Sequence, residues 1–404
     1  MNELLKLCMK RYKTQLIFIA VALIGLQIYG GTSFVNSWQN RESWVRSEGF
    51  AENFNRLQEE GNVLEGYFSG NDLKEFTNTF GEKPTLKNIR VFSLTVRRSM
   101  NEWNLTGFQH SEFSNLGVST LNTIFFAAAL MNGFLYFFWD MRSRFAQFLF
   151  SSKFKRKDIL KTKLLLMLAT LTISFVVATF LKHLIIFTSI PSPYMNLTFT
   201  QVLPGIGWNL LYLIALTIFG MFFGIIMGQM ATGFISLFGF AGFLMAIVNG
   251  IGQLQELSNR RSGQVGQTFI SSINNTFLDV TYGSGSLPSW IWPIVTLICF
   301  SFFIFYSYPK ITLDQTDEYL MMPSLRKPTL LIAIIGSAFI GFTNFMKFWT
   351  MRGDQWVELT TRESLTSSII PTIVLPIIVG LVVYFFIYRL KGVQMILGRV
   401  KKTA

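Results

Sequence analysis

Eight apolar runs divide this chain, and most are long enough to cross a bilayer. They cover residues 14–34, 118–139, 164–188, 208–227, 234–248, 290–308, 328–345 and 367–388. A membrane-spanning helix needs about 20 mostly apolar residues to cross about 30 Å of hydrocarbon. Half of the 404 residues are hydrophobic, only 14% are charged, and 42 are phenylalanine, far more apolar material than a soluble core of this size needs. Backbone groups in lipid must pair within their own segment, so runs of this kind fold as helices. The expected fold class is an all-α polytopic membrane protein with about eight transmembrane helices.

The formal net charge is +13, which on a soluble chain would suggest nucleic acid. Here the cations gather beside the apolar runs. Lys6, Lys10, Arg11 and Lys13 precede the first. Arg142, Arg144, Lys153, Lys155, Arg156, Lys157, Lys161 and Lys163 fill the segment 140–163, and Arg389, Lys391, Arg399, Lys401 and Lys402 follow the last. That asymmetry sets membrane orientation. It predicts a multi-pass protein of the plasma membrane with both termini cytoplasmic. The lipid bilayer is an expected partner and nucleic acid is not, because no basic stripe interleaves with aromatics. The first run exceeds a signal-peptide core and no small-residue cleavage site follows it, so it is read as an uncleaved span.

Between the runs, the pattern predicts three further elements. Leu4, Leu5, Cys8, Met9 and Tyr12 recur at helical spacing with cations opposite, as in an interfacial helix on the inner leaflet. Segment 35–117 is the one large polar stretch and is expected to be an extracytoplasmic loop domain, either a structural cap or a contact for substrate or partner. Segment 268–280 reads as a re-entrant or interfacial piece on the same side. Gly220, Gly224 and Gly228 lie four apart and permit close helix approach, within the bundle or across a dimer. Pro371 and Pro376 are expected to kink the last span.

Catalytic signatures are absent. The chain has no phosphate-binding Gly-x-x-x-x-Gly-Lys-Ser/Thr loop, no His-Glu-x-x-His and no Gly-x-Ser-x-Gly. Its two cysteines, Cys8 and Cys299, and two histidines, His110 and His183, make neither a disulfide framework nor a metal set. No catalytic, metal or cofactor residue is expected, and the chain is not read as an enzyme. Asp140 sits at a span end, whereas an ion-coupled carrier normally needs an ionisable group at mid-depth. The energy for any transport is therefore expected from another subunit. Asn132, Lys182 and His183 are polar residues within spans and candidates for a substrate path. For Lys182 and His183 the alternative is snorkelling to the outer interface.

Ser151–Leu165 is the densest charge cluster, yet Phe154, Ile159 and Leu160 give it an apolar edge. A solvated, topology-setting loop needs only the lysines. A short amphipathic helix lying across the membrane face and presented to a soluble partner needs both. The run Lys153-Phe154-Lys155-Arg156-Lys157-Asp158-Ile159-Leu160-Lys161-Thr162-Lys163-Leu164-Leu165 resembles an inner loop of permeases of the ABC type-2 exporter class, Pro-Val-Ser-Arg-x-Glu-Ile-x-x-Gly-Lys-Leu-Leu. Arg156, Ile159, Lys163 and both leucines match, and Asp158 stands for the acid. Lys153 replaces the proline and Thr162 the small residue.

The resemblance covers the six-span core, residues 1–308, with loop 35–117 and coupling loop 140–163. The unit 309–404, with two further spans and a basic tail, departs from it. It implies a bacterial, Gram-positive source and a cytoplasmic coupling helix that docks on an ATPase. Phe154, Lys155, Arg156, Asp158, Ile159 and Lys163 would be its coupling residues. It further implies two ABC ATPase subunits holding ATP and Mg, a second permease chain as homo- or heterodimer, and export of an amphipathic cargo: a lipid-like molecule, an antimicrobial peptide or a drug. The rival is a membrane sensor or scaffold that binds a ligand outside and a regulator inside.

Overall fold

The computed structural model describes residues 2–63, 67, 70–81, 83–98, 105–106, 115–196, 198–262, 287–311, 318–347, 349–352, 355–358 and 360–389. The expected re-entrant piece 268–280, His110 and the basic tail from residue 390 onward lie outside them. The chain is an α-helical membrane protein: among the described residues, seven helices are long and apolar enough to cross a bilayer. They are α1 (Asn2–Arg46), α7 (Arg156–Ser189), α8 (Phe199–Ile226), α9 (Met230–Ser262), α10 (Leu287–Ser307), α11 (Arg326–Thr343) and α12 (Thr361–Tyr384). The run 118–139 lies in a further helix, α5 (Asn115–Met141).

The N-terminus differs from the expected interfacial helix. Lys13 is not a boundary, and α1 runs unbroken for 45 residues, about 68 Å at 1.5 Å per residue. No Gly or Pro interrupts it near Lys13. Leu4, Cys8, Tyr12 and Leu16 recur every four residues and are all buried in the main core cluster. The apolar stripe read as a leaflet contact packs against the bundle.

The far end of α1 carries a small helical cap made of α2 (Glu48–Glu59), α3 (Gly70–Phe80) and α4 (Leu86–Leu94). Ser47 caps α2 and Thr85 caps α4, each accepting from a backbone N–H of the first turn. Gly61 (φ 74°) and Gly81 (φ 81°) end α2 and α3 in the left-handed conformation that glycine adopts without strain. The cap has its own aromatic core, including Phe50, Phe54, Phe76 and Phe92, closed by Ile186 and Ile190 from the end of α7. Trp38 on α1 donates from Nε1 to the Leu94 carbonyl at 2.9 Å, and Arg90 donates from Nε to the Val45 carbonyl at 2.9 Å. Strand β1 (Val96–Arg98) pairs antiparallel with β2 (Leu105–Thr106) and parallel with β3 (Met195–Asn196), which ties the cap to the α7–α8 connection.

Below the cap, two pairs of helices are locked by close backbone approach. In the α5–α8 pair, a Cβ at Gly220 would overlap the Leu130 carbonyl and one at Gly224 the Phe134 carbonyl. From the other side, a Cβ at Gly133 would overlap the Thr217 carbonyl. In the α1–α7 pair, a Cβ at Gly31 would stand 3.2 Å from the Lys182 carbonyl. Helices in lipid gain little from hydrophobic attraction, so small residues that allow backbone contact decide which helices pair. α10 then packs on α8 through Phe300, whose ring lies 4.8 Å from Phe219 and 5.2 Å from Phe222.

Gly228 has a different role from its two neighbours in the motif. It lies beyond the end of α8, and its N–H donates to the Tyr319 carbonyl at 3.1 Å. Met321 N–H donates to the Ile226 carbonyl at 2.8 Å, so residues 319–321 clip onto the α8–α9 turn. The turn is also tighter than the expected 228–233, because α9 already begins at Met230. The Tyr319 hydroxyl lies 2.7 Å from Ser236 Oγ, and burial pushes its pKa up while that hydrogen bond opposes the rise. α11 and α12 form a hairpin beside α9. It is seated by Asn344 donating to the Ala246 carbonyl at 2.7 Å and by contact at Gly250, where a Cβ would overlap Thr343. Strands β4 (Trp349–Arg352) and β5 (Gln355–Glu358) close the hairpin, and Pro371 and Pro376 lie inside α12.

Candidate functional site

Between α5 and α7 the chain makes a short helix, α6 (Arg144–Ser151). Ser143 caps it: the Ala146 N–H donates to Ser143 Oγ at 3.3 Å, and Ser143 Oγ itself donates to the Asp140 carbonyl at 2.7 Å. Ser152 stops it, donating from both N and Oγ to the Leu149 carbonyl. Ala146 and Leu149 are buried, while Gln147 and Ser151 are exposed and Phe148 is 54% exposed. The element is amphipathic, anchored on one face and presented on the other.

This corrects the placement read from sequence, which put the amphipathic element at Ser151–Leu165. Phe154 and Lys155 lie in the link after α6, and from Arg156 onward the chain is already in α7. The apolar edge of that stretch faces inward, with Ile159 and Leu160 both at 0% exposure. Of the six residues assigned to coupling, Lys155 and Asp158 are exposed and Phe154 is half-buried. Arg156 donates to the Pro309 and Ile311 carbonyls at 2.8 and 2.9 Å, and its guanidinium stacks over Phe150 at 4.8 Å. It caps the last carbonyls beyond α10, where a cation complements the negative end of the helix dipole.

Lys163 is fully buried and belongs to a polar cluster that the sequence reading missed. Its ammonium pairs with Asp140 near the end of α5 and donates to the Tyr308 hydroxyl at 3.3 Å. The Tyr12 hydroxyl donates to the other Asp140 carboxylate oxygen. Cys8, also fully buried, lies one turn from Tyr12 on α1. The Tyr136 ring packs 4.9 Å from Tyr12, and its buried hydroxyl has no hydrogen-bond partner among the described residues. One carboxylate, one ammonium and two hydroxyls from four separate segments thus satisfy one another out of water. That is the condition under which a buried ion pair is tolerated. A signal for it existed: Lys163 continues the stripe Ile159, Leu166 and Met167, so helical spacing alone puts it on the buried face of α7.

Asn132, Lys182 and His183 do not share a site. Asn132 is half-buried eight residues before Asp140 on α5, a rise of about 12 Å. His183 lies twenty residues beyond Lys163 on α7, a rise of about 30 Å from the same level. The Thr179 carbonyl accepts from His183 Nδ1 at 2.8 Å within its own helix. Lys182 is half-buried and backs onto Gly31. Among the described residues, no group of three His, Cys, Asp or Glu is placed to hold a metal ion.

The exposed cations Lys6, Lys10, Arg11, Lys13, Arg142, Lys153, Lys155, Lys157 and Lys161 surround α6 and the start of α1, making this the basic end of the molecule. Lys153 reaches Glu3 at 3.2 Å, which places the start of α1 beside the α6–α7 link. No protein-family model, no curated protein and no solved structure matches the chain.

Proposed function

We propose that this chain is the membrane permease subunit of a transporter driven by a separate ATPase, with its basic end facing the cytoplasm. The observation that carries the reading is α6. It is a capped amphipathic helix at the junction of two membrane helices, ringed by cations, with Phe148 presented outward. An exposed aromatic anchor with charges around it is what a specific protein partner grips. Arg156, Phe150 and the Lys163–Asp140 pair then join that grip to the bundle, so a push on α6 reaches the membrane helices.

Two ATPase subunits would hold the ATP and Mg, and a second permease chain, identical or related, would complete the pore. The phenylalanine-lined contact of α8, α9 and α10, through Phe219, Phe222, Phe240 and Phe300, suits an amphipathic cargo such as a lipid-like molecule, an antimicrobial peptide or a drug. Export is the direction implied by the resemblance to ABC type-2 permeases.

The docking surface moves from the residues first assigned to it. Ile159→Asp would test core packing, because Ile159 is buried. Phe148→Asp with Lys157→Glu changes only exposed positions. Pulled from native membranes in mild detergent, the wild-type chain is expected to retain a P-loop ATPase, and this double variant to lose about tenfold or more of it. Equal ATPase recovery with both would overturn the docking face. A kinase or other regulator in place of an ATPase would turn the assignment to a membrane sensor.

A further inference from the structure

We propose that the Asp140–Lys163 pair is the latch of a seam between two helix bodies, and that α6 is the strap across that seam. The inference rests on the transporter reading for its purpose but not for its test. One body is α1 with α7, joined by the close approach at Gly31. The other is α5 with α8, joined backbone to backbone at Gly133, Gly220 and Gly224, with α10 packed on α8. Direct packing of α1 on α5 and of α7 on α8 is far slighter than packing within each body.

What holds the seam differs along its length. Toward the cap it is mostly apolar, with Leu23, Leu171 and Phe175 of the first body clustered with Ala129, Trp208, Tyr212 and Leu213 of the second. At the basic end it is polar. Tyr12 and Lys163 of the first body both bind Asp140 of the second. Lys163 also meets Tyr308, and Arg156 holds the Pro309 and Ile311 carbonyls. In lipid, apolar contacts between helices exchange with lipid contacts at little cost, whereas buried polar contacts must be broken outright. The basic end is therefore where closure of the seam is decided.

Two further features suit a contact that opens. The Tyr136 hydroxyl is buried at the latch without a partner among the described residues, a cost that water entering the open seam would relieve. α6 connects α5 of one body to α7 of the other and rests Phe150 against Tyr308 at 5.6 Å. A partner that grips α6 thus acts on both sides of the seam at its polar end.

Cys8 makes the latch measurable, because it is fully buried there and Cys299 is the only other cysteine. In a Cys299→Ala background, the rate of Cys8 modification by a small water-soluble methanethiosulfonate reports opening, with no ATPase needed. Lys163→Met and Asp140→Asn are each expected to raise that rate about tenfold or more. The swap Asp140→Lys with Lys163→Asp should return it most of the way to wild type, since the Tyr12 and Tyr308 hydroxyls can both donate and accept. If these variants fail to reach the membrane folded, Tyr12→Phe carries the test, with an expected rise of about threefold. Unchanged Cys8 reactivity in the folded single variants, or in Tyr12→Phe, overturns the latch and leaves the ATPase assignment standing. A swap as reactive as the single variants overturns the pairing as its basis.

Discussion

Gly220→Val is expected to leave almost no folded protein. A Cβ there would overlap the Leu130 carbonyl, and backbone on the facing helix cannot swing aside as a side chain can. Overpacking typically costs about 1–3 kcal/mol, and a backbone-to-backbone seam such as α5–α8 belongs at or above the top of that range. The measurement is the yield of monodisperse protein after mild detergent extraction, followed by its melting temperature. Gly239→Val is the matched control: among the described residues nothing lies within 4 Å of a Cβ at Gly239, so its yield should equal wild type. Equal loss from both variants would mean that glycine content, not the α5–α8 contact, sets stability.

Lys163→Met is the second large effect. Among the described residues it leaves Asp140 buried with only the Tyr12 hydroxyl for a partner, and breaking one side of a buried pair costs about 3–5 kcal/mol. Removing both charges relieves that burden. The double variant Lys163→Met with Asp140→Leu should therefore melt closer to wild type than Lys163→Met alone. Thermal unfolding of the two variants and wild type in the same detergent checks this. A double variant less stable than the single would show that Asp140 finds adequate partners without Lys163.

The apolar runs located the membrane helices because their period and length reflect a demand that every residue in lipid must meet. Their ends were less legible. α1 continues for twelve residues beyond Phe34 because the polar residues after it still present Trp38 and Val45 to the cap core, a contact made with chain far away in sequence. The basic segment misled for a related reason. Charge density marked Ser151–Leu165 as exposed, while the stripe of Ile159, Leu160 and Lys163 placed one face of it in the core. Lys163 looked like one more topology-setting cation until Asp140, at the end of another helix, came beside it. The serines that bound α6, Ser143 and Ser152, were visible in sequence as capping types. The denser lysine cluster that follows them is the stronger signal and masks theirs. The partner of the glycine motif, Gly133 on α5, was unreadable because nothing in a single sequence says which helices become neighbours.

The most direct test of the whole account is Cys8 reactivity in native membranes, in the Cys299→Ala background, with and without a non-hydrolysable ATP analogue. If a separate ATPase grips α6 and works the seam, the nucleotide changes the modification rate severalfold, and Phe148→Asp with Lys157→Glu abolishes that response while leaving the basal rate unchanged. A Cys8 rate indifferent to nucleotide in the wild-type chain would contradict it.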